Sequence, residues 1–521
     1  MSYSTHVSNP EIILIGSGVM SANLGAMLKR LNPAFSIQVY ELSSELAHES
    51  SDGWNNAGTG HAGICELSYT PKREADGTVN VRKVIDIFEQ FEHSRQFWGY
   101  AAASGMIENP REFINPVPHL SFVHGQEMVE FLHARYEGMS AHHFFESMEF
   151  STDRDVIGEW APLLTEERGK EPIAVTHMEG GTDVNFGVVS RKLLHWLSEQ
   201  KDCGIATGHR VIGLTKLAAG GWQIRVKNLE TGKIFTNQAM FIFVGAGGGS
   251  LSLLQKAGIP EAIGMGGFPI GGQWLVCDNP EVVGRHLAKV YGQPLPAAPT
   301  MAVPHLDTRV LNGKKHLLFG PFAAWTTKFL HTGGSFLDLP FSVRPGNLLT
   351  LLNIGVSNLS LVRYLIQQGT QSMSDRLDVL RIFYPGARAA DWTLKDAGIR
   401  VQTIKKSDGK AGIVHYGTEI ITSADKSISA LMGASPGASV SVDIALNVVK
   451  KCFPGLLSSS DGKAMMDEMI PGWDEDLSDP ANANRFRDIS CRATENLQLQ
   501  PAPVSVLITA RPSKTEVKSR P

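Results

Sequence analysis

Gly16-Ser17-Gly18-Val19-Met20-Ser21, followed by Glu41, has the residue types and spacing to hold a dinucleotide. Gly16 permits a tight turn, and Gly18 lets a pyrophosphate approach a helix N-terminus. Glu41 is placed to accept hydrogen bonds from ribose hydroxyls. The third small position is Ser21 rather than glycine, and Glu41 lies 25 residues after Gly16, a little beyond the usual interval of about 20. An acid here suits an unphosphorylated adenosine ribose, as in FAD or NAD, better than NADP. Ser50–Pro71 is a second chemical stretch, dense in Gly, Asn, Ser and Thr, with one imidazole at His61. Its small residues allow the backbone around Asn55, Asn56, Gly58, Thr59 and Gly60 to approach a flat ring closely. Two further glycine-rich turns carry the same signature. Gly245-Ala246-Gly247 follows an apolar run, and Ser435-Pro436-Gly437-Ala438-Ser439 precedes a helical pattern through Lys451. A helix start with proline and small residues exposes free N–H groups, whose positive dipole end suits the charge a reduced flavin develops near N1 and O2.

The elements that must position these groups are legible around them. Ile12–Ile15 is an apolar strand. Met20, Leu24, Met27, Leu28 and Leu31 fall on one face of a helix, and Ser36–Tyr40 is a second strand ending at the acid. Val81–Tyr100 has helical periodicity. Arg210–Leu217, Gly221–Lys227 and a strand around Lys233–Thr236 form a meander, and Ala239–Val244 returns the chain to the nucleotide unit as a buried strand. The expected architecture is α/β. A Rossmann-like nucleotide domain of three layers, with a parallel sheet and a β-meander, is interleaved with an α+β substrate domain carrying an antiparallel sheet. The nucleotide domain is expected over 1–75, 179–263 and 396–455. The substrate domain is expected over 76–178 and 264–395, and a C-terminal helix and frayed tail over 456–521. The leucine-rich stretch Gly346–Gly369 reads either as a core-facing helix pair or as a helix resting on a membrane surface.

Bulk properties exclude several classes. The 48 Lys and Arg nearly balance the 52 Asp and Glu, giving net charge −4, with no basic block to bind nucleic acid. Cys65, Cys203, Cys277, Cys452 and Cys491 are scattered without a C-x-x-C, which argues against zinc or iron–sulfur sites and for a reducing compartment. His142-His143 has no acid or cysteine at ligand spacing, so no metal is expected there. The N-terminus lacks the basic-then-apolar pattern of a secretory signal, and no apolar run reaches 18 residues. A soluble or peripheral cytoplasmic protein is expected.

Taken together, Ile15–Ser21, Trp54–Pro71, Phe113–Phe122 (FINPVPHLSF), Gly181–Phe186 (GTDVNF), Phe243–Ser250 (FVGAGGGS), Leu318–Leu330 (LFGPFAAWTTKFL) and Gly433–Ser439 (GASPGAS) resemble the FAD-dependent malate:quinone oxidoreductases, from about residue 10 to about residue 498. The resemblance implies a flavoprotein of the D-amino-acid oxidase-like class. Such an enzyme oxidises (S)-malate to oxaloacetate, passes electrons to membrane quinone, and sits peripherally on the inner face of the cell membrane. The same scaffold could oxidise lactate or 2-hydroxyglutarate, and a flavin-binding protein without catalysis is the reading from another class.

Oxidising a 2-hydroxy acid needs a hydride acceptor, a base for the hydroxyl proton and groups that hold the carboxylates. His61 is the first candidate base and His415 the second. Arg400, in a Gly-Ile-Arg turn, is the expected carboxylate clamp, since its fork binds a carboxylate through two bonds. Lys328 is a candidate for the second carboxylate, and Gln402 and Asn56 could polarise substrate or flavin carbonyls.

Overall fold

The computed structural model describes residues 3–60, 63–293, 303–348, 351, 369–407, 410–415, 418–433 and 437–499, with backbone alone at 406–407, 410–415 and 418. His61, Ser435, Pro436 and most of Gly346–Gly369 lie outside these residues.

Ile12–Ile15 pairs in parallel with Ile37–Tyr40 on one side and Phe241–Val244 on the other. It is the centre of a six-stranded sheet. The order is Thr418–Thr422, Ile428–Gly433, Phe241–Val244, Ile12–Ile15, Ile37–Tyr40, Cys203–Ala206, all parallel except the first, which is an antiparallel edge. Side chains alternate across it with period two. Ile12, Leu14, Ile37 and Val39 enter one core with helices Val19–Leu31, Phe186–Ser198 and Ser441–Cys452. Ile13, Ile15, Ile242 and Val244 enter another beneath the meander His209–Lys216, Trp222–Asn228, Ile234–Ala239 and helix Ser250–Ala257. These strands are apolar on both faces because both faces are covered.

Helix Arg82–Ala103, which the sequence places in the substrate unit, packs instead in the helical layer of this sheet. Trp98 Nε1 donates to Asn23 Oδ1 at 3.0 Å, and Asn23 Nδ2 donates to Ser441 Oγ at 2.8 Å, so a buried polar chain ties three helices together. Its phenylalanines supply the apolar area that draws it there.

The second sheet has nine strands, ordered Lys410–His415, Thr393–Ser407, Gly266–Cys277, Lys314–Ala324, His305–Leu311, Lys289–Tyr291, His119–His124, Ile173–Met178, Glu149–Ser151. All its neighbours are antiparallel except Lys289–Tyr291 against His119–His124. Strand Thr393–Ser407 runs through the expected boundary at 395/396 and pairs with Lys410–His415 in the second sheet, and the chain rejoins the first sheet at Thr418–Thr422. One face packs Leu120, Phe122, Val290, Leu306, Leu317 and Phe319 against helix Met373–Phe383. The other face carries charge. Lys289 stands opposite Asp307 and Tyr291 opposite His305, with Arg309 next along the same face.

Candidate active site

A cavity of about 880 Å³ lies between the carboxyl ends of the parallel strands and the charged face of the second sheet. Ligands bind at such strand ends in open α/β sheets. The first wall is the turn Gly16–Gly18 and the start of helix Val19–Leu31, whose first-turn N–H groups have no partner within the helix. Gly16 has φ +97°, and a Cβ there would overlap the Gly245 carbonyl, so the two glycine turns touch as backbone. Glu41 closes this end. Its carboxylate accepts from the Ser17 amide at 2.8 Å, the Ser17 hydroxyl at 2.6 Å and the Ser43 amide at 2.7 Å. Burial raises its pKa, and these bonds oppose the rise. Paired backbone turns, a helix start and an acid form a cradle that fits the pyrophosphate and ribose of FAD.

The loop after Ser50 is held from below by a buried ion cluster. Arg309 donates to both Asp183 carboxylate oxygens at 2.8 and 2.9 Å, to the Gly53 carbonyl at 3.2 and 2.9 Å, and to Asn56 Oδ1 at 3.1 Å. Lys289 Nζ lies 2.8 Å from Asp183 and donates to the Ala57 carbonyl at 2.8 Å. Gly58 has φ +63°, and a Cβ there would overlap the Arg309 guanidinium. Two cations and Asp183 thus fix where the loop backbone runs.

The far wall comes from the second sheet and the segment after residue 63. Tyr291 donates to or accepts from Thr59 Oγ1 at 2.8 Å and stacks on His305 with ring centroids 4.3 Å apart. His305 Nδ1 is 2.8 Å from Asp307 Oδ2. The Asp307 carboxyl is held below its usual range: burial works against this, and His305 and Lys289 outweigh it. Glu66, buried nearby, has its pKa raised by burial against a hydrogen bond from the Ser68 amide at 3.0 Å. Arg400 also lines this wall. Burial lowers its pKa, and Tyr291 opposes the shift. Among the described residues no carboxylate lies within ion-pair distance of the Arg400 guanidinium, and a guanidinium stays charged.

The cavity lining brings together Gly16, Gly18, Val19, Met20, Glu41, Asn55, Asn56, Gly58, Thr59, Gly245, Ala246, Gly247, Arg400, Gly437, Ala438 and Ser439. Ser21 and Gly60 sit behind the wall: Ser21 Oγ packs under Gly245, and the Gly60 amide donates to the Thr182 carbonyl at 3.0 Å. The helix expected to open at Pro436 begins at Ser441, so Gly437–Ser439 form the turn before it. Asn56 is corrected as a substrate group. Its amide donates to the Ser50 and Asp52 carbonyls at 3.0 and 2.7 Å, and its oxygen accepts from Gly58 and Arg309. That side chain is consumed in shaping its own loop. Lys328 is corrected too: it is absent from the lining, and its ammonium lies 4.5 Å over the Phe336 ring. Gln402 is fully buried in the strand beyond Arg400 and outside the lining. His415 ends the edge strand opposite Thr403, with its side chain outside the description. The metal-like pair His142 and His143 contacts the Ser478 and Leu477 carbonyls through Nε2 at 3.0 and 2.9 Å.

Sequence reasoning missed Tyr291, His305, Asp307, Arg309 and Glu66. A signal existed in His305-Leu306-Asp307-Thr308-Arg309, where charged and imidazole groups alternate at strand period.

Comparison with known proteins fits this geometry. The family model for malate:quinone oxidoreductase (Mqo) matches residues 8–499. The probable malate:quinone oxidoreductase 2 of Pseudomonas aeruginosa is 50% identical over 490 residues, covering 94% of this chain and 96% of that one. A probable malate:quinone oxidoreductase of Flavobacterium psychrophilum is 47% identical over 491 residues, covering 94% and 98%. Among solved structures, the FAD-bound L-alpha-glycerophosphate oxidase of Mycoplasma pneumoniae shares the fold with TM-score 0.56 at 14% identity, covering 85% of this chain and 94% of that one. With a family match across nearly its whole length and relatives near half identity, the chain belongs to the malate:quinone oxidoreductase family.

Proposed function

We propose that this cavity holds FAD and malate against each other, that Arg400 clamps a malate carboxylate, and that the protein works from the inner face of the cytoplasmic membrane. As a member of its family the chain oxidises malate to oxaloacetate and passes the electrons to a quinone. The observation that carries the site assignment is Arg400: a charged side chain on a cavity wall, with no carboxylate partner among the described residues. Arg400 is half-buried and faces the cavity, so its guanidinium is open to a substrate carboxylate. A bidentate bond to the C1 carboxylate orients C2. Gly16, Gly18 and the helix start would take the FAD pyrophosphate, Glu41 the ribose, and the backbone at Asn55–Thr59 and Gly437–Ser439 the ring. FAD, when bound, supplies the hydride acceptor for C2.

The membrane assignment rests on an exposed apolar face. Trp325, Phe336, Leu337, Phe341, Leu348 and Ile263 are all solvent-exposed, and Phe341 also lines the cavity. Asn347 Nδ2 donates to the Met265 carbonyl at 2.8 Å and binds the two segments into one surface. Lys328 and Arg344 flank it. Apolar side chains among cations suit an anionic bilayer, and Phe341 gives a quinone an apolar approach to the cavity. Among the described residues no helix is long and apolar enough to cross a membrane.

Anaerobic bleaching of the purified yellow protein by a panel of 2-hydroxy acids tests the substrate. Malate should reduce the flavin at the lowest concentration. Reduction by lactate or 2-hydroxyglutarate with malate inert would sink the assignment.

A further inference from the structure

We infer that His305, beside the Asp307 carboxylate, is the base that takes the hydroxyl proton of the substrate. This rests on the malate reading of the same cavity. His305 and Asp307 project from one face of strand His305–Leu311, two residues apart, with Nδ1 and Oδ2 separated by 2.8 Å. The two atoms are close but not aligned for a hydrogen bond, so Asp307 acts on the imidazole as a nearby negative charge. Nδ1 is buried, no described residue bonds Nε2, and the residue lines the cavity, so Nε2 is the nitrogen open to substrate.

Charge balance favours the same role. Asp183 and Asp307 face Lys289 and Arg309, all four fully buried, so the cluster is neutral while His305 is neutral. A proton arriving on Nε2 makes an imidazolium, and Asp307 and Glu66 stand close enough to stabilise it. The groups facing the imidazole are Asp307 from its own strand, Tyr291 and Lys289 from the neighbouring strand, and Glu66 from the loop. Tyr291 stacks on His305 and is near enough to Arg400 to act on its charge. Arg400 and His305 line the same cavity, so a substrate clamped by Arg400 would share its space with His305.

The step balances with FAD as the only co-reactant. The malate O–H bond breaks and its proton goes to His305 Nε2. C2 would give up its hydrogen as hydride, for which bound FAD would supply the acceptor; the C2–O bond becomes a carbonyl, and the His305 imidazolium releases its proton to solvent.

The test uses the holoenzyme and two readouts. One is the rate of anaerobic flavin reduction by saturating malate across pH. The other is binding of succinate, a dicarboxylate with no hydroxyl to oxidise, read from the flavin absorbance band. His305→Gln should slow reduction by roughly 100-fold or more, with succinate Kd within about threefold. Asp307→Asn, which keeps the imidazole, should move the acid limb of the reduction rate to lower pH. It also serves as the independent measurement should His305→Gln not fold. Wild-type reduction in His305→Gln overturns the inference, as does an unmoved acid limb in Asp307→Asn. Loss of succinate binding together with reduction in His305→Gln overturns it too, since His305 would then hold a carboxylate. Loss of rate in His61→Ala, with His305→Gln intact, moves the proton to His61. Failure of malate to bleach the unaltered enzyme removes the substrate reading instead, and is distinguishable from all of these.

Discussion

Arg309 meets Asp183 through one guanidinium nitrogen at 2.8 and 2.9 Å, both side chains fully buried, and the rest of the guanidinium holds the loop that borders the cavity. Asp183→Asn leaves Lys289 and Arg309 buried without their shared counter-charge. The expected loss is about 3–5 kcal/mol of stability. Urea unfolding should show it as a lower midpoint at unchanged slope, together with weaker flavin retention.

Gly58→Ala places a methyl group against that guanidinium from a backbone with positive φ. Strain alone costs roughly 1–3 kcal/mol. Purified protein should carry less flavin, seen as a lower ratio of visible to ultraviolet absorbance. A full complement of FAD would show that the loop can move aside.

Arg400→Ala should raise KM for malate by about 30- to 1000-fold, equivalent to roughly 2–4 kcal/mol for a truncated buried charge contact. Arg400→Lys should restore part of this, since it returns the charge without the fork. Unchanged steady-state kinetics would remove the clamp.

His119 and His286 are buried, and burial lowers the pKa of each to about 4. Both are neutral in the fold, while the unfolded chain protonates near pH 6.5. Their contribution is present above pH 6.5 and is lost as pH falls towards 4. Each should cost up to about 3 kcal/mol at the acid end. Urea midpoints between pH 7.5 and 4.5 should fall accordingly, and His286→Gln should flatten the dependence.

Phe336→Ser with Leu337→Ser removes two exposed apolar side chains that lie outside the cavity lining. Each buries roughly 1.5–3 kcal/mol of side chain on entering a lipid interface. Co-sedimentation with anionic vesicles should fall at least tenfold, while reduction of a water-soluble acceptor stays near the original rate.

The nucleotide cradle was legible because it is local. Gly16, Gly18, the helix face from Met20 to Leu31 and Glu41 lie within one βαβ unit, and each period is visible without the rest of the fold. The wall supplied by the second sheet was not. Tyr291 and His305 meet only because strands Lys289–Tyr291 and His305–Leu311 pair in one register. Nothing in either segment announces the other. Asn56 misled because an amide in a glycine-rich loop looks available, and only the fold shows four neighbours using it. Arg82–Ala103 misled because its apolar face does not say which sheet it will cover.

The central sheet is assembled from segments that leave the ribosome far apart in time. Its middle strand is Ile12–Ile15, its neighbour Phe241–Val244, and the next partner Ile428–Gly433. The early strands must wait for more than four-fifths of the chain before their last parallel partner exists. During that interval the edge of Phe241–Val244 is an unpaired apolar strand, open to wrong partners. The parallel part of this sheet is therefore complete only once the chain has been made to about residue 433.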